Sequence, residues 1–383
     1  MKTVVIIDHE PLTPRRMAIF HIEELAAKGF DVRFWDCSQI FHKGMQLADS
    51  ITDFDRLHVM NSLEDVSRAI DGLEVAETVF IVEVFNRWEN RAFFRLLSDK
   101  GCYTVRMELY ASSVLPDIPF FQKIRMASFR KIATGVSNRL KKGMYWAYKK
   151  YWHVKGYDLF VSSGDDFWID VKINHPDWEK YKSSLGGQRL CKGNYAVFLD
   201  EYFPNHPDMR FFVKDCRADT TQYRRSMLRF FDEYQQRTGL EVVIAAHPKS
   251  EYQGDEWGAR KIIKYKTVEL VRDAREILMH SSAALSFVMM FDKPLALITT
   301  DGYDRLFPLK VNVRRISRLT GLPVYNIDRE DLGNVKAQAV PEITRKEYIS
   351  RFLTSPGIEG LKTVDIIAEV FHALPAFSCA GRK

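Results

Sequence analysis

Residues 236–248, Gln-Arg-Thr-Gly-Leu-Glu-Val-Val-Ile-Ala-Ala-His-Pro, contain the end of a helical pattern, an apolar strand and the signal that stops the strand. Gly239 can adopt the left-handed conformation that closes a helix, so it ends the helix predicted over 220–237. The apolar run 240–246 predicts a strand buried on both faces. Pro248 cannot donate to a ladder and therefore ends that strand. A helix followed directly by such a strand is typical of α/β proteins.

The same alternation extends in both directions along the chain. Before residue 165, apolar runs and amphipathic patterns predict strands over 3–7, 31–35, 56–59, 78–84, 103–107 and 157–161 and helices over 16–28 and 91–100. From Asn194 onward they predict strands over 195–199, 240–246, 276–279 and 294–298, helices over 267–275 and 282–291, and closing helices over 345–353 and 357–374.

This pattern predicts an α/β fold of two Rossmann-like domains, each with a parallel sheet. We expect an N-terminal domain over 1–165, a C-terminal domain over 190–345 and closing helices over 345–383. Ligands of such sheets bind at the carboxyl ends of the strands, and two facing domains place a ligand in the cleft between them.

The net charge is concentrated in one segment. The 383 residues include 56 Lys and Arg and 50 Asp and Glu, which gives +6. Ten of the basic residues and none of the acidic ones lie in 118–157, so the rest of the chain has 46 basic against 50 acidic residues, or −4. The protein is therefore slightly acidic apart from one basic segment. Its apolar content of 46% excludes wholesale disorder.

Several classes of protein are disfavoured by what the sequence lacks. The five cysteines are scattered without a CxxC pair, which argues against a zinc site or a disulfide scaffold and favours a reducing cytoplasm. No apolar run approaches the length of about 18 residues that spans a membrane. Residues 8–14, after the first strand, contain no glycine, so dinucleotide and P-loop chemistry are not expected.

Polar residues that could take part in catalysis or ligand binding follow three strands of the second half. His247-Pro248-Lys249 ends the strand 240–246, and the imidazole there can donate to a phosphate oxygen or protonate a leaving group. Ser281-Ser282 stands at a strand-to-helix junction, where serines cap the helix and their hydroxyls and backbone amides form an anion pocket. We expect the strands before His247 and Ser281 to be neighbours in one sheet.

Asp200-Glu201 follows the strand 195–199. Adjacent carboxylates at a strand end can supply a general base if burial or mutual repulsion raises one pKa. The alternative interpretation is a pair of solvated acids, or a carboxylate that orients a neighbouring histidine or arginine.

The order of an acidic pair, His-Pro and Ser-Ser resembles the motifs of bacterial sialyltransferases and polysialyltransferases of the GT-B fold. Capsule Kdo transferases carry related signatures, as do, more loosely, glycerol-phosphate polymerases of the teichoic-acid type. Residues 264–294 are similar to the donor-binding half of these enzymes. The resemblance covers about residues 195–300.

The resemblance implies roles for individual residues. His247, Pro248, Lys249, Thr267, Ser281 and Ser282 would bind the donor, with His247 on the nucleotide phosphate and acting as acid toward the leaving nucleotide. Asp200 or Glu201 would be the base, although Tyr202 stands where the family has glycine. In some GT-B enzymes the base lies in the N-terminal half, where the alternative candidates are Asp8, His9 and Glu10.

The implied reaction is inverting and independent of metal, with no cofactor. A CMP-activated acidic sugar, a nonulosonate or Kdo, would be moved onto a bacterial surface glycan or glycolipid. The alternatives are transfer of glycerol or ribitol phosphate from a CDP donor, nucleotide-sugar epimerisation, and a non-catalytic scaffold of glycan assembly.

The basic segment 118–157 predicts one or two helices broken near Gly135 and Gly143, with aromatic residues between the cations. Such a helix suits an anionic membrane surface, which would place the enzyme peripherally on the inner face of the cytoplasmic membrane. A core-packed helix with a solvated basic face and a site for a polyanionic acceptor are the alternatives, and nucleic acid is not expected because no binding motif accompanies the charges. The cations are Lys123, Arg125, Arg130, Lys131, Arg139, Lys141, Lys142, Lys149 and Lys150.

Overall fold

The computed structural model describes residues 2–45, 47, 49–108, 129–164, 169–206 and 219–374, without the side chains of residues 129–138, 307 and 308. The described residues form two compact α/β units. The first contains residues from 2–108, 129–176 and 354–374, and the second contains residues from 177–353. The predicted fold class, two Rossmann-like domains with parallel sheets, is confirmed.

The first unit has a seven-stranded parallel sheet. Its strands are β1 (Thr3–Asp8), β2 (Asp31–Asp36), β3 (Leu57–Val59), β4 (Thr78–Glu83), β5 (Tyr103–Glu108), β6 (Leu159–Ser162) and β7 (Val171–Lys172). They are ordered β3-β2-β1-β4-β5-β6-β7, so β1 lies between β2 and β4. The helices of this unit are α1 (Pro14–Ile19), α2 (Ile22–Ala27), α3 (Ser38–Phe41), α4 (Leu63–Asp71), α5 (Arg91–Asp99) and α6 (Phe129–Trp152).

The second unit repeats the doubly wound order with six parallel strands. They are β8 (Tyr195–Leu199), β9 (Glu241–Ala246), β10 (Ile262–Lys264), β11 (Glu276–Met279), β12 (Leu295–Thr299) and β13 (Val324–Asn326), in the order β10-β9-β8-β11-β12-β13. The helices, in chain order from Pro176 on, are α7 (Pro176–Ser184), α8 (Thr220–Thr238), α9 (Thr267–Asp273), α10 (Leu285–Met290), α11 (Asp301–Asp304), α12 (Phe307–Thr320) and α13 (Glu342–Tyr348). A π-helical turn, Ile349–Leu353, follows.

The central strands form where the sequence is apolar on both faces. All five residues of β8 are buried, as are the last five of β9 and of β1. Gly239 ends α8 with a φ of 68°, as the left-handed closing position requires.

Two predicted helices have different bounds from those expected. The helix expected over 16–28 is divided into α1 and α2, because His21, with a φ of 51°, leaves the helical conformation between them. The prediction that the helix of the basic segment breaks near Gly135 and Gly143 is wrong, since α6 continues through both glycines.

A last helix, α14 (Thr363–Ala373), returns to the first unit. Val364, Ile367 and Phe371 join the core that β1 and β2 form, and the Phe371 ring lies edge-on to Phe30 at a centroid distance of 6.3 Å. The Lys2 ammonium donates to the Phe371 carbonyl oxygen at 2.9 Å. Within the described ranges, no helix has the length and apolar composition that crossing a membrane requires.

Candidate functional site

The carboxyl ends of three adjacent strands bring the second unit's predicted residues together. Asp200 and Glu201 follow β8, His247 follows β9, and Ser281 comes two residues after β11. The expectation that the strands before His247 and Ser281 are neighbours is wrong, because β8 lies between them and pairs with both. In the doubly wound order the first strand of the unit is central, so the acidic pair is flanked by the histidine and the serine.

Asp200 connects β8 to the backbone at His247. Its nearly fully buried carboxylate accepts hydrogen bonds from the Tyr252 hydroxyl at 2.8 Å, from the Tyr202 N–H at 2.9 Å and from the His247 N–H at 3.4 Å. Burial raises the pKa of Asp200 to about 6, although these hydrogen bonds favour the ionised form. Asp200 therefore titrates close to neutral pH and holds the turn that carries His247.

Tyr202 keeps the backbone conformation that glycine adopts most easily. Its φ is 55°, in the left-handed region. The Tyr202 N–H donates to Oδ1 of Asp200, which supports this turn for a residue with a Cβ atom. Tyr202 therefore differs from the glycine of the resembled motif in its side chain, but its backbone has the conformation that glycine would adopt there.

His247 is partly buried, and its hydrogen bonding fixes the tautomer of the neutral ring. The Lys249 N–H donates to Nδ1 of His247 at 3.1 Å, so the neutral ring carries its hydrogen on Nε2. The ring of His206 packs against it at a centroid distance of 4.6 Å. Nε2–H is the group that a phosphate oxygen can accept from, while Pro248 and Lys249 are exposed beside it.

The Glu201 carboxylate lies against the Ser281 N–H and hydroxyl, where we expected a bound anion. Its carboxylate accepts from the Ser281 N–H at 2.5 Å, from the Ser281 hydroxyl at 3.4 Å and from the Tyr303 hydroxyl at 2.7 Å. Burial raises the pKa of Glu201. Sequence reasoning also missed Tyr303, which lies on the short helix α11, 102 residues further along the chain, because no motif singles it out.

The prediction that Ser281 and Ser282 cap a helix is wrong. Helix α10 begins at Leu285 with Ala284 as its N-cap residue. The Ser282 hydroxyl instead accepts from the Ala284 N–H at 3.3 Å, which closes a turn one step before the helix.

His280 supports this turn from the core. Its Nδ1–H donates to the Ile298 carbonyl oxygen at 2.6 Å, and its Nε2 accepts from the Tyr223 hydroxyl at 2.8 Å. Burial lowers the pKa of His280 to about 4, so the ring is neutral at pH 7. Thr267 begins α9 just after the edge strand β10, two strands away from Asp200 along the sheet.

The first unit has its own row of carboxylates at the strand ends. Asp8 on β1 pairs in register with Asp36 on β2 and with Glu83 on β4, and all three are buried. Nη1 of Arg16 lies 2.7 Å from Oδ2 of Asp8, and Nη1 of Arg106 lies 2.9 Å from Oε2 of Glu83. Burial raises the pKa of Asp8 and of Glu83 to about 7 each, against the opposing effect of the arginines.

The alternative base candidates Asp8, His9 and Glu10 all lie in this cluster. The His9 Nδ1–H donates to the Glu83 carbonyl oxygen at 2.5 Å, and burial lowers the pKa of His9. Glu10 forms an ion pair with Arg16. Sequence reasoning missed Glu83, although the signal was present, since Glu83 ends an apolar strand as Asp8 does.

The described residues of the basic segment lie on α6. Lys123 and Arg125 are outside the described residues, and the side chains of Arg130 and Lys131 are as well. Lys141 forms an ion pair with Glu89 at 2.7 Å. The other predicted cations whose side chains the structure describes also lie on α6, and they are Arg139, Lys142, Lys149 and Lys150. Within the described ranges, no group of three or more His, Cys, Asp or Glu side chains is arranged to hold a metal ion.

No protein-family model matches the sequence, and no curated protein does. Among solved structures, the chain is similar to the wall teichoic acid polymerase TagF, with a TM-score of 0.46 and 12% identity over 97% of this chain and 88% of that one. It is similar to a Methanocaldococcus jannaschii UDP-GlcNAc 2-epimerase in complex with UDP-GlcNAc and UDP, with a TM-score of 0.43 and 11% identity over 91% and 98%. It is also similar to the spinosyn forosaminyltransferase SpnP, with a TM-score of 0.42 and 11% identity over 97% and 95%. At these identities the likeness concerns the fold alone, and the resemblance to sialyltransferases and Kdo transferases stays a prediction.

Proposed function

We propose that the protein is a GT-B glycosyltransferase that takes its sugar from a nucleotide donor bound at the carboxyl ends of β8, β9 and β11. The observation that carries the proposal is the junction of Asp200 and His247, in which a buried carboxylate accepts from the backbone N–H of the histidine while the Lys249 N–H donates to Nδ1 and so places the hydrogen of the neutral ring on Nε2. The order of the acidic pair, His-Pro and Ser-Ser along the chain supports the same assignment.

The chemistry follows from these groups. In the transfer, an acceptor hydroxyl forms a bond to the anomeric carbon as the bond from that carbon to the phosphate oxygen breaks. We assign His247 to donate a hydrogen bond to the leaving phosphate, with the charge of Lys249 beside it. We assign Asp200 to take the acceptor's proton, because a base with a pKa of about 6 is mostly ionised at pH 7 and still basic enough to accept. Glu201 then holds the Ser281 turn in place.

The finer proposal concerns the donor and the acceptor. We assign the donor to the CMP-linked acidic sugars, a nonulosonate or Kdo, and the acceptor to a bacterial surface glycan or glycolipid. The motif order supports this choice over uridine donors. No metal ion or cofactor is part of the proposal.

Titration calorimetry with CMP, CDP and UDP tests the proposal. We expect a cytidine nucleotide to bind, and we expect His247→Ala to weaken it roughly 10- to 100-fold, the usual effect of removing a hydrogen bond to a charged group. His58→Ala is the matched control, because His58 is exposed on β3 of the first unit, and it should bind as the wild type does. Equal binding by His247→Ala would remove the donor site from β9, and tight binding of UDP alone would replace the cytidine assignment.

Product analysis separates the alternative reactions. A glycosyltransferase releases CMP from a CMP-sugar as the acceptor gains the sugar. A phosphotransferase releases CMP from CDP-glycerol or CDP-ribitol as the acceptor gains the polyol phosphate. An epimerase consumes no acceptor, and a scaffold binds the nucleotide without turnover. Any of the last three results would contradict the proposed sugar transfer.

A further inference from the structure

The outward face of α6 carries an unusual combination of apolar and basic side chains. Leu140, Met144, Ala147 and Tyr151 follow one another at intervals of four, three and four residues, which places them on one face of the helix. Leu140 is 65% exposed, Met144 53% and Tyr151 75%. The stripe from Leu140 to Tyr151 extends about 16 Å along the helix axis.

A neighbouring face of α6 fixes the helix to the first unit. The buried Tyr145 forms a hydrogen bond between its hydroxyl and the Asn86 side chain. Tyr148 lies edge-on to Trp88 at a centroid distance of 6.1 Å, and the Arg95 guanidinium lies 3.6 Å from the ring centroid of Trp152. Three of the five aromatic residues in 139–152 therefore make contacts within the first unit, and the stripe lies on an exposed part of the helix.

The charged side chains of α6 between residues 139 and 152 all have one sign, and one of them, Lys141, is paired with Glu89. Residues 139–152 contain five cations and no carboxylate. Lys150 lies 5.5 Å from the ring centroid of Trp146, which is itself 65% exposed. An exposed apolar stripe with an amphipathic tryptophan and flanking lysines matches the requirements of the interface between lipid head groups and acyl chains.

We infer that residues 139–152 of α6 dock the protein on an anionic lipid membrane, with Leu140, Met144 and Tyr151 entering the head-group boundary and Arg139 and Lys150 contacting lipid phosphates. A polyanionic glycan would use the cations and leave the apolar stripe in water, so the stripe favours the membrane. The inference concerns a different surface from the nucleotide site and stands independently of the reaction proposed above.

Cosedimentation with vesicles tests this inference through two independent variants. The wild type should bind vesicles that contain phosphatidylglycerol and should bind phosphatidylcholine vesicles far less. Arg139→Gln with Lys150→Gln should lower the partition coefficient roughly 30-fold, since each cation engaged by an anionic surface contributes about a fivefold change. Leu140→Glu with Tyr151→Glu should lower it at least as much, because charged groups replace buried apolar area.

Ile343→Glu is the matched control. Ile343 is 70% exposed on α13, with Lys346 one turn away, and it lies in the second unit. This variant should bind vesicles as the wild type does. The inference is overturned if the wild type does not distinguish the two kinds of vesicle, or if the stripe variant binds like the Ile343→Glu control. It is also overturned if soluble polysialic acid binds to α6 while anionic vesicles do not.

Discussion

Carboxylates stand at the carboxyl ends of both sheets, but their surroundings differ. In the first unit, Asp8 and Glu83 are each paired with an arginine, Arg16 and Arg106. In the second unit, the described contacts of Asp200 and Glu201 are hydroxyls and backbone N–H groups. Burial raises the pKa in both units, so the comparison shows two ways to support a buried carboxyl group, one with a counter-charge and one with neutral hydrogen-bond donors.

The difference has a consequence for ligand charge. The arginines of the first unit are already engaged by the protein's own carboxylates, so an incoming anion would compete for them. In the second unit, the described contacts of Asp200 and Glu201 are neutral, so a phosphate bound near His247 would not have to compete with them for an arginine. The turn that carries His247 is therefore compatible with a bound phosphate group.

The largest expected effect concerns which row of carboxylates supplies the base. Asp200→Asn should lower the rate of sugar transfer about a thousandfold, because loss of a general base typically costs between a hundred- and ten-thousandfold. Asp8→Asn should lower it less than tenfold. Steady-state kinetics on both variants measures the difference, and the opposite ranking would move the base to the first unit.

The second prediction uses pH to sharpen the comparison. The pKa values of Asp8 and Glu83 are about 7 in the folded protein, against 3.8 and 4.5 as their ordinary values. Between pH 4 and pH 7 the folded state therefore binds more protons than the unfolded state, so the free energy of unfolding falls as the pH rises. We expect these two groups to lower it by about 6 kcal/mol over that range.

Urea unfolding at several pH values measures this slope. Asp8→Asn with Glu83→Gln should remove the part of the fall that these two groups contribute, while Asp55→Asn, at an exposed carboxylate in the same unit, should leave it unchanged. A double variant with the slope of the wild type would show that the two groups titrate normally.

The third prediction removes a counter-charge. Arg16→Met keeps the aliphatic part of the side chain but leaves buried Asp8 without its cation. At pH 9, where Asp8 with its pKa of about 7 is ionised, the free energy of unfolding should fall by about 3 kcal/mol. Arg68→Met is the control, since Arg68 forms an exposed pair with Asp65 and should change stability by under about 0.5 kcal/mol. Equal effects of the two variants would mean that the Arg16 pair is no more important than a surface pair.

The smallest expected effect is in the second unit. Tyr303→Phe removes the hydroxyl that donates to Glu201 but keeps the ring, so it should lower the free energy of unfolding by about 1 kcal/mol. Tyr151→Phe, at an exposed tyrosine, is the matched control. A loss of stability as large as that of Arg16→Met would contradict the distinction between a carboxyl group paired with an arginine and one that accepts from neutral donors.

The strands were predictable because each central strand is an uninterrupted apolar run. The structure has β8 over the predicted residues, and β1 extends one residue beyond its predicted end. The division of the first helix at His21 was not predictable, since a positive φ at a residue with a Cβ atom depends on tertiary contacts.

The candidate site was predictable to the level of which strand ends carry polar residues. The contact of Glu201 with Ser281 joins residues 80 positions apart, and it depends on β8 lying beside β11. The sequence shows that Glu201 and Ser281 each follow a strand. Whether the Ser281 N–H donates to a carboxylate of the protein or to a bound phosphate depends on the strand order. For the same reason the register that aligns Asp8 with Glu83 could not be read from either strand alone.

The position of α14 determines the order in which the units can fold during synthesis. The described residues of the second unit form one interval of the chain, whereas the core of the first unit includes Val364, Ile367 and Phe371. A ribosome makes the whole second unit before it makes α14. The second unit can therefore complete its core on the nascent chain, while the first unit waits for residues 363–373 to cover the apolar surface around Phe30.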